Sequence, residues 1–375
     1  MFRAVIWRLK FTSKPSLMAN FIFLLVLAID LTSYGNQPFM GRNFNSFDGI
    51  YALVGIGQLR ELPNILHAPG IAGVSLNAEW IEIEPKEGSY RWTSLDEQIK
   101  TADKAGKRVL LRLFPGISTP EWVYAKGAKP FEFIDKNPSH GAVFYAPGHR
   151  FSTYGKNLKM PVPWDEIFLT SWERFVEAAG SHYQDATNIA MVHITGPTRH
   201  SAEMHLPKEK EVQEKWRALG YTPQKLIGAW KRSIDAFARA FPHTALVLNL
   251  SPVIFDDGVM EAVARYGYET YGRRFFMQNN ILLAQNKEMK RKDWSVLQEY
   301  STKTTIGFQR GLLKLKAKGN LSPSEQLRIR RANFEGMLAQ GLALGAKYFE
   351  VGAAEVRDFP EVVKDTAERL ERLKK

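Results

Sequence analysis

From residue 45 onward, the chain alternates short β-branched or apolar runs with amphipathic stretches, and it does so eight times. This alternation is typical of parallel strands joined by crossover helices. Eight units are what a closed barrel needs, and no G-x-G-x-x-G or G-x-x-x-x-G-K-[S/T] loop follows any run, as an open nucleotide-binding sheet would show. We therefore predict an α/β fold: a single (β/α)8 TIM barrel over residues 45–375, with long loops after strands 3 and 4.

The segments between the predicted elements do not have the composition of linkers. No stretch rich in Ser, Gly and Pro and no internal repeat divides the chain, so we predict one domain rather than two. The strands are predicted at 50–54, 72–77, 108–114, 189–195, 245–250, 275–279, 304–308 and 348–351. The helices are predicted at 58–66, 95–105, 170–183, 223–240, 258–266, 294–300, 323–344 and 360–373.

The N-terminus has the features of an export signal. Residues 1–20 are basic and contain no acid, and an apolar run of nine residues follows at 21–29. A membrane-spanning helix needs about 20 apolar residues, whereas the apolar region of a signal peptide is this short. Residues 1–35 are thus either a signal peptide, cleaved after Gly35 or starting at Met18, or an uncleaved anchor. Either alternative predicts a secreted or periplasmic protein, held at the membrane in the second case.

The formal net charge is +12, concentrated in the leader and in segments 287–292, 314–318 and 328–331. One interpretation is attraction to an acidic polysaccharide or to a membrane surface, and the other is solvent-exposed helix faces and loops. No helix-turn-helix, zinc-finger or RNA-binding signature accompanies the charge, so no nucleic-acid partner is predicted.

Residue content and spacing argue against three kinds of site. The chain has no cysteine, which rules out thiolate metal sites, disulfides and cysteine nucleophiles. His193, His200 and His205 cluster, but without H-E-x-x-H spacing, so no metal is predicted. No G-x-S-x-G elbow supports a serine nucleophile.

Polar and aromatic side chains gather where the predicted strands end, which is where the site of a (β/α)8 barrel lies. Amides and carboxylates that bind hydroxyls, together with aromatic faces, are the usual lining of a carbohydrate cleft. The partner predicted from this lining is a carbohydrate. The residues predicted to bind it are Asn77, Glu79, Trp80, Arg112, Trp122, His193, Arg199, His200, Asn249, Asn280 and Gln309.

One segment carries a family resemblance. From Glu79 to Asp96 the chain reads E-W-I-E-I-E-P-K-E-G-S-Y-R-W-T-S-L-D, and a T-P-E-W-V run begins at Thr119. These motifs resemble those of clan A glycoside hydrolases, in particular β-galactosidase-like families. The resemblance implies a barrel, cleavage or transfer of glycosidic bonds, no cofactor, and two catalytic carboxylates, at the ends of strands four and seven.

The chain departs from that pattern at both catalytic positions. The Asn-Glu pair expected after strand four is absent, and Glu203 is the carboxylate nearby, so the resemblance assigns it the proton-donor role. Strand seven ends in Gln309, and an amide cannot act as a carboxylate nucleophile. Because glycosidases need two carboxyl groups, we predict Glu350 on strand eight as the second, with Glu355 and Glu79 as alternatives.

Two other functions stay open at this point. A carbohydrate-binding barrel without catalysis would keep the cleft and lack the strand-seven nucleophile. A polysaccharide lyase acting on an acidic glycan would use Arg199 and His200. The sugar, the linkage, the stereochemical outcome, exo or endo action and the oligomeric state are not determined by the sequence.

Overall fold

The structure is a computed structural model. It describes residues 47–60, 62–137, 152–255, 258–282, 291–310 and 322–373. The predicted leader at 1–35 and the basic segment 314–318 lie outside the described residues, as do the lysines within 287–290. No helix among the described residues is long and apolar enough to cross a membrane.

Eight parallel strands close into a barrel, which confirms the predicted fold. Around the ring the order is β1, β2, β3, β6, β7, β8, β9, β10 and back to β1, so each strand pairs with the next barrel strand along the chain. Their bounds are β1 Gly49–Leu53, β2 Ile71–Glu79, β3 Arg108–Phe114, β6 Ile189–His193, β7 Ala245–Asn249, β8 Phe275–Leu282, β9 Ile306–Arg310 and β10 Tyr348–Gly352.

Helices surround the barrel, and the segments after β3 and β1 contain structure that the sequence did not predict. After β3, strands β4 (Pro130–Ile134) and β5 (Asn157–Pro161) form an antiparallel two-stranded sheet. After β1, two short 3-10 helices replace the predicted helix, at Gln58–Arg60 and Pro63–His67. The α-helices are α1 Trp80–Ile83, α2 Thr93–Lys104, α3 Glu121–Ala125, α4 Glu166–His182, α5 Lys210–Ala218, α6 Pro223–Ala240, α7 Val259–Tyr271, α8 Lys292–Tyr300, α9 Pro323–Ala343, α10 Ala353–Asp358 and α11 Pro360–Arg372.

Part of the barrel interior is filled by a buried apolar and aromatic cluster, called the floor below. Its members are Phe47, Tyr51, Leu110, Ala190, Met191, Ala245, Val247, Phe276 and Tyr348. Tyr51 and Tyr348 meet edge to face there, with their ring centroids 6.1 Å apart, in a buried cluster distinct from the core between strands and helices. Two glycines make room for these rings. A Cβ on Gly73 would lie 2.5 Å from the Tyr51 ring, and one on Gly307 would lie 2.1 Å from the Tyr348 ring. Large and small residues therefore alternate around the floor, as close packing inside a barrel requires.

The motif after β2 has a structural role in this fold. Glu84 is fully buried and accepts hydrogen bonds from the Trp80 indole N–H (2.8 Å), the Gly88 backbone N–H (2.7 Å) and the Arg174 guanidinium (2.6 Å). Three donors compensate for burying this charge. Glu84 thereby fastens the turn after α1 to α4.

Candidate active site

Polar side chains fill the barrel interior toward the carboxyl ends of the strands. Successive residues of a strand point to opposite faces, so positions two residues beyond the apolar floor also point inward. Leu110, Met191 and Val247 lie in the floor, and the residues two positions on are polar and buried. The inward-facing polar residues reached in this way are Arg112, His193, Asn249, Gln278 and Glu350.

Glu350 is the centre of this layer. It is 0% exposed, and Ser75 donates a hydrogen bond to its Oε1 atom. Its Oε2 atom accepts from the Arg112 guanidinium and the Gln278 amide. Arg112 also donates to Gln309 at 2.9 Å. Residues from β2, β3 and β8 therefore converge on one carboxylate of β10, and Gln309 of β9 contacts one of these residues, Arg112.

The surroundings of Glu350 keep it ionised. Burial by itself raises the pKa of this carboxyl, but the Arg112 charge and the Ser75 hydroxyl are among the groups that outweigh burial and lower the pKa to about 2. His193 lies 3.6 Å from the Glu350 carboxylate, which is too long for a hydrogen bond. Burial and the Arg112 charge lower the pKa of His193, so this imidazole is neutral at pH 7.

Glu203 lies on the loop after β6, and this loop is held to several parts of the barrel. Glu203 pairs with Asn249 as an isolated parallel bridge, and the next backbone N–H bonds to the Ser251 hydroxyl at 2.9 Å. The Arg199 carbonyl accepts from the Ile117 N–H at 2.8 Å. Glu203 is therefore carried by a fixed backbone at the barrel mouth.

Residue Glu203 is half-buried, whereas Glu350 is fully buried. Asn280 donates to its Oε1 atom at 2.8 Å. Burial works to raise the pKa of Glu203, but the charge of His205 and the hydrogen bond from Asn280 contribute to a net lowering. In the free protein both carboxyl groups are thus ionised at neutral pH, so a proton-donor role requires a higher pKa in the complex with substrate.

A chain of amides connects the two carboxylates. The Gln278 amide N–H donates to Glu350 and, at 2.7 Å, to the Asn280 carbonyl oxygen. The Asn280 amide in turn donates to Glu203. Three hydrogen bonds and two amide groups limit the separation of Glu203 and Glu350 to at most about 10 Å. Glycosidase carboxyl pairs lie about 5–9.5 Å apart, so this upper limit is compatible with such a pair.

Several polar atoms beside this chain have no hydrogen-bond partner within the described part of the protein. They are both amide atoms of Asn249, both ring nitrogens of His193, the Asn77 amide oxygen and the Arg112 Nε atom. Asn249 and His193 are each 0% exposed. Leaving such groups unpaired costs about 1–3 kcal/mol each, and a bound ligand with several hydroxyl groups would satisfy them.

Glu79 is the third carboxylate of the mouth. It ends β2 and is buried, with His200 2.8 Å and the Ser118 hydroxyl 3.1 Å from its Oε1 atom. The His200 ring packs against Phe114. Asn77 lies two residues earlier on the same face of β2 and donates to the Val54 carbonyl at 2.8 Å. Both predicted residues therefore lie in the barrel mouth.

Four of the predicted residues serve structural contacts instead. Trp80 is 0% exposed and packs on Trp122 and Trp172, so it cannot stack on a sugar. Trp122 donates to the Glu84 carbonyl, and the Arg174 guanidinium covers its ring. The other two are Arg199, which bonds to Asp135 and Thr153 beside the β4–β5 sheet, and Glu355, which pairs with Arg330 of α9 outside the barrel.

The prediction from sequence missed Ser75, Ser118 and the role of Gln278. Ser75 lies two residues before Asn77, and Gln278 two residues before Asn280. Because alternate residues of a strand share a face, the positions two residues before each polar strand end would have identified Ser75 and Gln278. Among the described residues, no group of three His, Asp or Glu side chains is arranged to hold a metal ion.

Part of this barrel matches a known protein family. Residues 58–236 match glycoside hydrolase family 42, described as β-galactosidase. The comparison with curated proteins finds no match. The match covers slightly less than half of the chain and confirms the resemblance to clan A glycoside hydrolases in the part of the barrel that contains β2, β3, β6 and Glu203.

Solved structures similar to this chain include three glycosidases. An intracellular xylanase from Thermoanaerobacterium saccharolyticum, in complex with xylotriose, is 12% identical with a TM-score of 0.49 and coverage of 82% of this chain and 86% of its own. The exo-β-1,4-mannosidase of Opitutaceae bacterium strain TAV5 is 11% identical with a TM-score of 0.48, covering 87% and 59%. A psychrophilic family 10 endo-β-1,4-xylanase is 12% identical with a TM-score of 0.49, covering 82% and 87%. Likeness at this level says nothing about the substrate.

Proposed function

We propose that this protein hydrolyses glycosidic bonds in a polysaccharide or oligosaccharide, with Glu203 as proton donor and Glu350 as the second carboxylate. The observation that carries the proposal is the connected pair of carboxylates at the barrel mouth, surrounded by polar atoms that lack partners in the described residues. Glycoside hydrolysis needs one carboxyl that protonates the leaving oxygen and a second that stays ionised.

The two environments suit these two roles. Glu350 is held ionised by Arg112 and Ser75, so it supplies a fixed negative charge for an oxocarbenium-like transition state. Glu203 is partly exposed, and a sugar bound over it would remove its remaining water. Desolvation raises a carboxyl pKa, so substrate binding moves Glu203 toward the protonated form that a general acid needs.

The second candidate is a carbohydrate-binding barrel that does not catalyse. It is favoured by Gln309, which stands where the clan has its nucleophile and is engaged by Arg112. The complete burial of Glu350 also favours it, because a carboxylate that attacks the anomeric carbon must reach the substrate. The formation of products from a glycan, rather than the binding of the glycan, distinguishes the two candidates.

We further propose that residues 1–35 direct export to the periplasm or the exterior, either as a cleaved signal peptide or as an anchor. The basic start and the apolar run at 21–29 support this proposal. An acidic polysaccharide is the substrate that the net charge of +12 would attract. Cell fractionation followed by N-terminal sequencing of the mature chain tests the first proposal, and an intracellular full-length chain would contradict it.

The decisive experiment incubates the full chain with a panel of neutral and acidic glycans and identifies the products by mass spectrometry. Glu203→Gln and Glu350→Gln are compared with Glu214→Gln, a control on the exposed face of α5. We expect hydrolysis by the native chain and the control, and loss of at least about 100-fold in both site variants. Binding without products would establish the second candidate, and unsaturated products that absorb ultraviolet light would establish a lyase.

A further inference from the structure

The Gln278 amide has a determined orientation. Its Oε1 atom accepts a hydrogen bond from the Tyr348 phenol at 2.7 Å, and its Nε2 atom donates to Glu350 and to Asn280. Burial raises the pKa of Tyr348 well above its ordinary value, so the phenol keeps its proton and donates. A flipped amide would turn its carbonyl oxygen toward the ionised carboxylate of Glu350, and two acceptors would then face each other.

The orientation of Gln278 determines that of Asn280. Because a Gln278 N–H faces the Asn280 carbonyl oxygen, the Asn280 amide nitrogen is left to face Glu203 at 2.8 Å. The donor that Glu203 receives is therefore selected by Glu350 through two amides. Without Gln278, Asn280 is free to present its oxygen to Glu203, which would disfavour the ionised form.

We propose that Gln278 is a positioning residue that couples the two carboxylates: the charge on Glu350 orients Gln278 and Asn280, and Asn280 then holds Glu203 in its ionised form until substrate binds. This inference rests on the proposed function for its catalytic meaning. The coupling itself is a property of the free protein. It explains why an amide with no direct contact to Glu203 occupies the barrel centre.

The other groups that face these carboxylates are accounted for. Glu203 also experiences the charge of His205 on its own loop, and it acts electrostatically on His193 of β6. Glu350 faces Arg112 of β3, His193, and the phenols of Tyr51 and Tyr348. None of these side chains is altered in the principal variant below, so a change in Glu203 reports on the amide chain.

The test replaces Gln278 by methionine, which keeps the volume and removes the amide. The matched control is Gln98→Met on α2, a buried glutamine that bonds only to the Ser94 carbonyl of its own helix among the contacts described. The full chain is labelled with glutamate carrying ¹³C at the side-chain carboxyl. The Glu203 signal is assigned by its absence in Glu203→Gln and followed as a function of pH.

We expect the titration midpoint of Glu203 to rise by about one pH unit in Gln278→Met and to stay unchanged in Gln98→Met. Tyr348→Phe removes only the phenol that locks the amide and should raise the midpoint by a smaller amount. If Gln278→Met does not fold, Tyr348→Phe decides alone. A Glu203 midpoint equal to that of the native chain in the folded variants overturns the proposal.

The carboxyl titration needs no substrate, so it separates this inference from the proposed function. Should the native chain show no hydrolysis while the Glu203 midpoint shifts as expected, the coupling stands and the assignment of a hydrolase fails. Should hydrolysis occur, the alkaline limb of the kcat/KM profile, which reports the proton donor of the free enzyme, should move to higher pH by the same amount as the titration. A normal profile in Gln278→Met would contradict the coupling.

Discussion

Replacing Glu350 by glutamine removes the negative charge from the barrel centre and leaves the Arg112 guanidinium buried without its partner. The carboxyl pKa is lowered from 4.5 to about 2 in the folded protein, and this difference corresponds to about 3 kcal/mol of folding free energy at pH 7. Breaking a buried ion pair from one side costs a similar amount, about 3–5 kcal/mol. We therefore expect Glu350→Gln to lower the free energy of unfolding by about 3 kcal/mol.

The direction of the pKa shift determines how the loss of stability in Glu350→Gln changes with pH. A carboxyl whose pKa is lowered by folding stabilises the protein above its unfolded pKa, and the contribution is lost as the pH falls toward the folded pKa. The difference between the native chain and Glu350→Gln should thus be constant above pH 6, shrink below pH 4.5, and be roughly halved near pH 3. Urea unfolding followed by circular dichroism at several pH values measures it.

A double-mutant cycle provides the control. If the cost arises from the ion pair, Glu350→Gln in an Arg112→Met background should cost much less than in the native chain, since no buried charge is left unpaired. A difference below about 0.5 kcal/mol at pH 7, or one that does not change on acidification, would refute the argument from the buried pair.

Three further predictions follow from packing and from unpaired groups. Gly307→Ala should destabilise the barrel by about 1–3 kcal/mol in urea unfolding, because its Cβ would lie 2.1 Å from the Tyr348 ring; an unchanged midpoint would show that the floor can adjust. Asn249→Leu should keep or raise stability, since the buried amide has no partner among the described residues, yet it should weaken glycan binding at least about tenfold by calorimetry. Equal affinity would remove Asn249 from the site. Glu84→Gln should cost about 2–3 kcal/mol by thermal unfolding, because an amide cannot accept from three donors and keep the Arg174 pair; a shift no larger than that of an exposed glutamate would contradict its anchoring role.

The predicted barrel was confirmed because its signal is local. Each strand is a short apolar run and each helix an amphipathic stretch, and hydrophobic periodicity decides the type of an element within about ten residues. Seven of the eight predicted helices have counterparts that differ mainly at their ends. The exception is the first, where Pro63 and the short segment before β2 give two 3-10 helices instead.

The β4–β5 sheet was not predicted, because its signal is not local. Its strands are short, are bounded by Pro130 and Pro161, and are separated by a long segment. A two-stranded sheet is marginal by itself, and here Phe131 stacks on Trp216 of α5. This packing, made with a residue far along the chain, helps to stabilise the hairpin.

The candidate site shows the same difference between features that are local in the sequence and contacts between residues far apart in it. The sequence by itself determined that polar residues end the strands, and so it identified Glu350, Asn249 and Asn280 as members of one mouth, whereas Glu203 was assigned through the family resemblance. It could not determine which of them touch. Trp80 and Asn77 lie three residues apart, yet one is in the outer core and the other faces the mouth, because a helix begins where the strand ends.

The tertiary structure alone decided which charged and polar groups contact the buried carboxylate of Glu350. Ser75 and Glu350 are 275 positions apart in sequence and share a hydrogen bond, and Arg112 reaches the same carboxylate from 238 positions away. Barrel closure brings β2, β3, β8 and β10 around one centre, and the pKa of Glu350 depends on these neighbours rather than on the residues beside it in sequence. Hydrophobic patterning therefore determines the fold from the sequence, whereas the ionisation of the carboxylates is set by contacts that exist only after the ring has closed.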